Sequence, residues 1–113
     1  MSKTIFSKII AGEIPADIVH EDDLVVAFRD ISPQAPVHIL IVPREEIPGV
    51  DFLEERHREV IGHMLLTAKK LAHREELDEG YRLVINSGEK GGQTVDHLHL
   101  HLLGGRSMQW PPG

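Results

Sequence analysis

The stretch Val95-Asp96-His97-Leu98-His99-Leu100-His101-Leu102-Leu103 decides how the chain folds and where its chemistry sits. In an extended strand, side chains alternate between faces. His97, His99 and His101 therefore fall on one side and Leu98, Leu100 and Leu102 on the other. One face suits a core and the other suits chemistry. A lone histidine is ordinarily a packed or solvated residue. Three at period two, backed by three leucines, call for another explanation.

Two chemistries are open. Imidazole is a common metal ligand, and alternate strand residues stand about 6.6 Å apart, so one His-x-His pair can chelate zinc. His97 and His101 would stand about 13 Å apart, too far for all three rings to meet one ion. The chain has no cysteine to complete such a site. The alternative is catalysis, because neutral imidazoles supply a nucleophile and neighbouring proton donors near pH 7. Asn86-Ser87-Gly88-Glu89-Lys90-Gly91-Gly92-Gln93-Thr94 leads directly into the histidines. Its glycines admit positive φ, which lets consecutive backbone N–H groups converge on an anion. It lacks the lysine and hydroxyl that follow the last glycine of a Walker loop.

Working outward, 113 residues suffice for one domain, 1–113, with one modest core. A net charge of −6 argues against a binder of nucleic acid polymers. Absence of cysteine excludes a disulfide framework and a thiol nucleophile, and fits a reducing compartment. No apolar run nears the roughly 18 residues of a membrane span, and Met1-Ser2-Lys3-Thr4 opens without a hydrophobic signal core. The expectation is a soluble, cytoplasmic chain with no membrane partner.

Thr4 to Ile10 has helical spacing, with Ile5, Phe6, Ile9 and Ile10 on one flank and Gly12 as the stop. These side chains either pack a core or line a pocket for a flat ring. Residues 16–21 and 24–30 read as an antiparallel hairpin turning at Glu21-Asp22-Asp23. Asp30 shares a face with Leu24, Val26 and Phe28; it either meets ligand hydroxyls or opens the turn through Ile31-Ser32-Pro33-Gln34-Ala35-Pro36. A buried strand over 37–42 ends at Pro43, and its His38 needs a partner that the histidine strand can provide. Asp51 and Glu54 make a capping-box-like start to a long helix reaching about Glu76. Leu53, Val60, Ile61, Met64, Leu65, Ala68, Leu71 and Ala72 form its apolar stripe. His57, His63 and His73 lie outside the stripe and read as solvated or packing positions without partners. A fourth strand spans 81–86. The tail, about 104–113, carries Trp110 held by Pro111 and Pro112, which suggests docking on a partner subunit.

With these residues assembled, the chain resembles the histidine triad (HIT) superfamily, and within it the Hint branch. The match lies in Asp30-Ile31-Ser32-Pro33-Gln34-Ala35-Pro36, His38, Asn86, Gly91-Gly92-Gln93-Thr94, His97-x-His99-x-His101, Leu103-Gly104-Gly105-Arg106 and Trp110-Pro111-Pro112-Gly113. The resemblance implies an α+β fold: a five-stranded antiparallel sheet with one short and one long helix. It also implies a homodimer whose sheets join into ten strands, with the long helix and fourth strand at the interface.

The function implied is hydrolysis of purine nucleoside 5′-phosphoramidates, without cofactor or metal, giving AMP and an amine. His99 matches the nucleophile that forms a covalent nucleotidyl intermediate, its other nitrogen donating to the carbonyl of His97. His101 would bond phosphate oxygens, His38 would complete a proton network with His97, and Thr94 matches a serine near the leaving nitrogen. Phe6, Ile9, Phe28 and Ile31 match positions that hold the base, Asp30 the residue that takes the ribose hydroxyls, and Asn86, Gly92 and Gln93 those that position phosphate and ribose. Two departures stand out: Thr94 adds a methyl, and Arg29 puts a long cation where histidine is frequent, at what would be the pocket rim. A dinucleoside polyphosphate hydrolase and a nucleotide-binding regulatory protein are the alternatives.

Overall fold

Amphipathic segments of both periods condense into one sheet with a helix against each face. The computed structural model describes residues 3–113. Helix α1 (Ile5–Ile10) precedes three strands, β1 (Ile18–Glu21), β2 (Val25–Arg29) and β3 (Val37–Pro43). The long helix α2 (Arg58–Arg74) follows, then β4 (Arg82–Val84) and β5 (Leu100–Gly104). The strands pair antiparallel in the order β1-β2-β3-β5-β4, so the histidine-bearing strand lies inside the sheet and β4 at its edge.

Register sorts the side chains as alternation requires. Ile39 faces Leu102 and Ile41 faces Leu100 across β3 and β5. These four join Val25, Ala27 and Leu98 in a core closed by Val60, Met64, Ala68, Leu71 and Ala72 of α2. On the opposite face Val26, Phe28, Leu40 and Val42 pack beneath Phe6 and Ile9 of α1. Leu40 also lies opposite His101, so this second face carries the imidazoles.

Several sequence expectations need correction. The ladder of β5 begins only at Leu100; before it, His97 N–H bonds its own neighbour Val95 and Leu98 N–H donates to Ile47 O at 2.7 Å. The cause is Pro43, which ends β3 and has no N–H with which to continue the pairing. Side-chain parity survives all the same, since Leu98 enters the α2 core and His97 turns to α1. The segment expected to open the long helix instead forms two 3₁₀ turns, Val50–Phe52 and Glu55–His57, and α2 starts at Arg58. Leu65 of the expected stripe is 46% exposed.

The helix histidines do have partners. Buried His57 accepts Glu54 N–H on Nδ1 at 2.9 Å and donates from Nε2 to Glu45 at 3.0 Å, capping the approach to α2. His63 donates to Asp22 Oδ2 at 2.7 Å, and His20 meets the same oxygen at 2.7 Å. Only His73 is solvated, 3.8 Å from Asp78. Arg29 does not reach the imidazole face. It follows Ala27 in strand parity, and its guanidinium grips Glu75 beyond the end of α2 with bonds of 2.9 and 3.0 Å.

Candidate active site

The three rings of the histidine row cluster under α1. Phe6 packs T-shaped with His97 at 6.0 Å and His99 at 5.0 Å between centroids, and His99 and His101 stand 4.9 Å apart. His97 is fully buried, and His99 and His38 nearly so.

Hydrogen-bond accounting fixes each tautomer. The backbone N–H of Gln34 donates to His38 Nδ1 at 3.1 Å, so neutral His38 carries its proton on Nε2. That proton points to His101 Nδ1, 2.9 Å away. His101 must then hold its own proton on Nε2. Among the described residues, this is the only buried side-chain nitrogen or oxygen with no hydrogen-bond partner. A buried donor left unmet is costly unless a ligand meets it, so His101 Nε2–H marks where an acceptor belongs. His99 Nδ1 lies 2.7 Å from the carbonyl of His97 and must donate to it, which leaves the lone pair on Nε2. His97 Nε2 likewise donates to Pro43 O at 2.9 Å. The row therefore presents a free nucleophilic lone pair on one ring beside an unmet N–H on the next. His38 is thus tied to His101 and not, as the resemblance implies, to His97.

Asp30 opens the turn, Oδ1 accepting Ser32 N–H at 2.8 Å, while Oδ2 lies 3.5 Å from His38 Nε2. Phe6, Ile9 and Phe28 are buried against one another, whereas Ile31 is 95% exposed at the mouth of the turn. Gly88 and Gly92 adopt positive φ (76° and 91°) in the loop before the triad, the conformation for which glycine was singled out. Asn86 Nδ2 reaches Gly92 O only at 3.5 Å. Gln93 is wholly engaged in fastening that loop: it accepts Gly88 N–H at 2.9 Å and donates to Pro48 O and Val95 O at 2.7 and 3.0 Å. Exposed Thr94 opens on a cleft of about 830 Å³ shared with Glu46, Asp51, Phe52 and Asp96. Trp110 is 82% exposed, on a tail that Arg82 holds by the carbonyl of Gln109 (2.7 Å).

Four participants escaped the sequence. The main-chain amide of Gln34 and the carbonyl of Pro43 carry no side-chain signal. Thr4 Oγ1 lies 3.0 Å from His97 Nδ1, and Ser7 Oγ reaches Glu46 at 2.7 Å beside it. A threonine just before an apolar helical run marks an N-cap, yet nothing local ties it to a histidine 93 residues away.

Burial is the main force on these rings. It lowers the pKa of His97 and His38, and that of His101 down to about 4, where neighbouring His99 and His38 add to it and Asp30 opposes. For His101 the unfolded chain takes up a proton near pH 6.5 while the native state stays neutral until about pH 4. Its contribution is therefore intact above pH 6.5 and is lost as pH falls through that window, on the order of 3 kcal/mol at most. Denaturant unfolding from pH 7 to pH 4 should show stability falling and then levelling, with a shallower slope in His101→Asn. An unchanged slope in the variant would count against a neutral buried ring.

Asp30, His38 and His101 offer one ligand atom each, all within 4.8 Å of one another. An O,N,N set of this kind suits zinc. His38 Nε2 and His101 Nδ1 are already bonded to each other, so an ion held by those two nitrogens would have to displace their contact.

A five-stranded antiparallel sheet, a row of tautomer-fixed imidazoles and a glycine loop define the class of histidine triad proteins. The HIT domain pattern matches residues 11–108, and the chain belongs to that family. It is 56% identical to the protein called adenylylsulfatase HINT1 from Arabidopsis thaliana, over 99% of this chain and 78% of that one. It is 57% identical to a 14 kDa zinc-binding protein of Brassica juncea, over 97% and 99% of the two chains. A HIT family hydrolase from Legionella pneumophila, 52% identical, superposes with a TM-score of 0.96 over 98% of this chain and all of that one.

Proposed function

We propose that the chain is a hydrolase of purine nucleoside 5′-phosphoramidates. His99 Nε2 attacks the α-phosphorus, the P–N bond breaks, and the amine departs with a proton relayed through the Thr94 hydroxyl. Water then cleaves the nucleotidyl-His99 bond to release the mononucleotide. His101 Nε2–H donates to the phosphoryl oxygens as charge gathers on them. Phe6, Ile9, Phe28 and Ile31 hold the base, Asp30 the ribose, and Asn86 and the Gly92–Gln93 turn keep the loop around the phosphate. The observation that carries the proposal is the pairing of a free lone pair on His99 with the unmet N–H of His101. The hydrolase named among the structural neighbours and the adenylylsulfatase among the relatives support nucleotide hydrolysis. The cytoplasm as the place of action rests on sequence alone; no helix among the described residues is long and apolar enough to cross a membrane.

Incubation with adenosine 5′-monophosphoramidate, followed by ³¹P NMR, should show AMP forming faster than from a diadenosine polyphosphate at equal concentration. The reverse order would move the assignment to the polyphosphate branch, and no release from either would favour a binding role.

A second copy completes the proposal. Along the β4 edge Tyr81, Leu83 and Ile85 remain exposed, and so do Leu65 and Leu66 on α2. Leu83 pairs with Leu102 and so shares the helix side of the sheet. An unpaired edge beside an apolar face is an association site. A homodimer joined there gives ten strands and lets the Trp110 tail reach the neighbouring subunit. Sedimentation should find a dimer that Leu83→Asp dissociates.

Zinc at Asp30, His38 and His101 is the one other reading with an observation behind it. Stoichiometric zinc in the purified protein, with turnover lost to a chelator, would favour it.

A further inference from the structure

We propose that Thr4 is a positioning residue for the His99 nucleophile, one oxygen joining the helix over the imidazole face to the peptide that fixes the His99 tautomer. The proposal rests on the hydrolase reading for its kinetic consequence but not for its structural one.

The donor count singles out Thr4. His97 uses Nε2–H on Pro43 O, so its Nδ1 is a buried lone pair in need of a donor. Two hydroxyls lie near it, Thr4 Oγ1 at 3.0 Å and Ser7 Oγ at 3.4 Å. The Ser7 proton is committed to Glu46 Oε1 at 2.7 Å. Thr4 Oγ1–H has two acceptors in reach, Ser7 Oγ at 3.2 Å and His97 Nδ1 at 3.0 Å, and the nearer ring nitrogen, which has no other donor, takes it. The same Thr4 oxygen accepts Ser7 N–H at 3.0 Å as the N-cap of α1, and Thr4 N–H donates to Glu46 at 3.1 Å. Helix α1 carries Phe6, whose ring packs T-shaped with His99. The carbonyl of His97 accepts the His99 proton. Movement at Thr4 thus reaches the nucleophile by two routes, through the Phe6 wall and through the His97 peptide.

A donor at Nδ1 favours the neutral ring. Of the groups facing His97, Glu46 in the loop after β3 favours the cation and His99 disfavours it; α1 contributes the two hydroxyls and Phe6, and β3 the Pro43 carbonyl. Loss of the Thr4 hydroxyl and loss of the Glu46 charge therefore act in opposite directions. A cationic His97 would place positive charge two residues from the attacking nitrogen.

Imidazole ¹⁵N NMR titrations of the wild type, Thr4→Val, Thr4→Ser and Glu46→Gln, with kcat and KM for adenosine phosphoramidate, test this. His97 should titrate at higher pH in Thr4→Val, at lower pH in Glu46→Gln, and as wild type in Thr4→Ser. Thr4→Val should lose about tenfold in kcat with little change in KM, and Thr4→Ser should stay within about threefold. A residue that only caps the helix would leave the His97 titration in place, which would overturn the proposal, as would equal kcat losses in the valine and serine variants. If Thr4→Val fails to fold, a His97 titration in Thr4→Ser clearly displaced from wild type, or one in Glu46→Gln that does not fall, overturns it as well. Absence of turnover in the wild type would remove the hydrolase reading, while the His97 titrations would still decide the structural role of Thr4.

Discussion

Replacing His99 by alanine is expected to lower phosphoramidate turnover by at least about 1,000-fold, because loss of a covalent nucleophile removes a whole reaction route. The fold should persist, since β5 keeps its ladder to β3 and β4 and its leucines keep their core. The variant should still bind AMP through Phe6, Phe28, Asp30 and His101. Rapid quench of the wild type should trap nucleotide on the protein, and His99→Ala should trap none. Turnover surviving within about tenfold would mean that water attacks phosphorus directly and that His99 acts as a base or as packing.

Leu100→Ala attacks the reverse side of the same strand and should be a costly truncation for stability. Leu100 is 1% exposed, lies opposite Ile41 and sits in the core beneath α2. Removing its side chain from an interior strand should cost about 3–4 kcal/mol, within the range for buried leucines whose cavity cannot collapse. Urea unfolding reads this directly. A loss below about 1 kcal/mol would mean that the alternation of faces does not carry the core.

The strand-like segments and the two faces of the histidine strand were legible because they depend on a local rule, alternation at period two, and the register of Ile39 with Leu102 honours it. Glycine at positions 88 and 92 was legible for the same reason, since φ is a property of one residue. The start of α2 was not. Asp51 and Glu54 have the spacing of a capping box, but the box that forms pairs Glu54 with His57 around the 3₁₀ turn ahead of α2, where Glu45, brought close by the end of β3, holds the His57 ring. Arg29 was misplaced for a similar reason: its partner Glu75 lies 46 residues on, and only the packing of α2 brings the two together. His38 was expected to need a partner, yet the choice between His97 and His101 depends on which ring the antiparallel register sets diagonally opposite it.

The imidazole chain takes its polarity from outside itself. Its first donor is the peptide hydrogen of Gln34, and the carbonyl of the same residue is clamped by Arg106 through Nε and Nη2 at 3.2 and 3.0 Å. The direction in which every later proton points is thus dictated by main chain, which nineteen of the twenty amino acids reproduce equally. Drift at position 34 leaves that first donor in place until it reaches proline, which has no hydrogen to give.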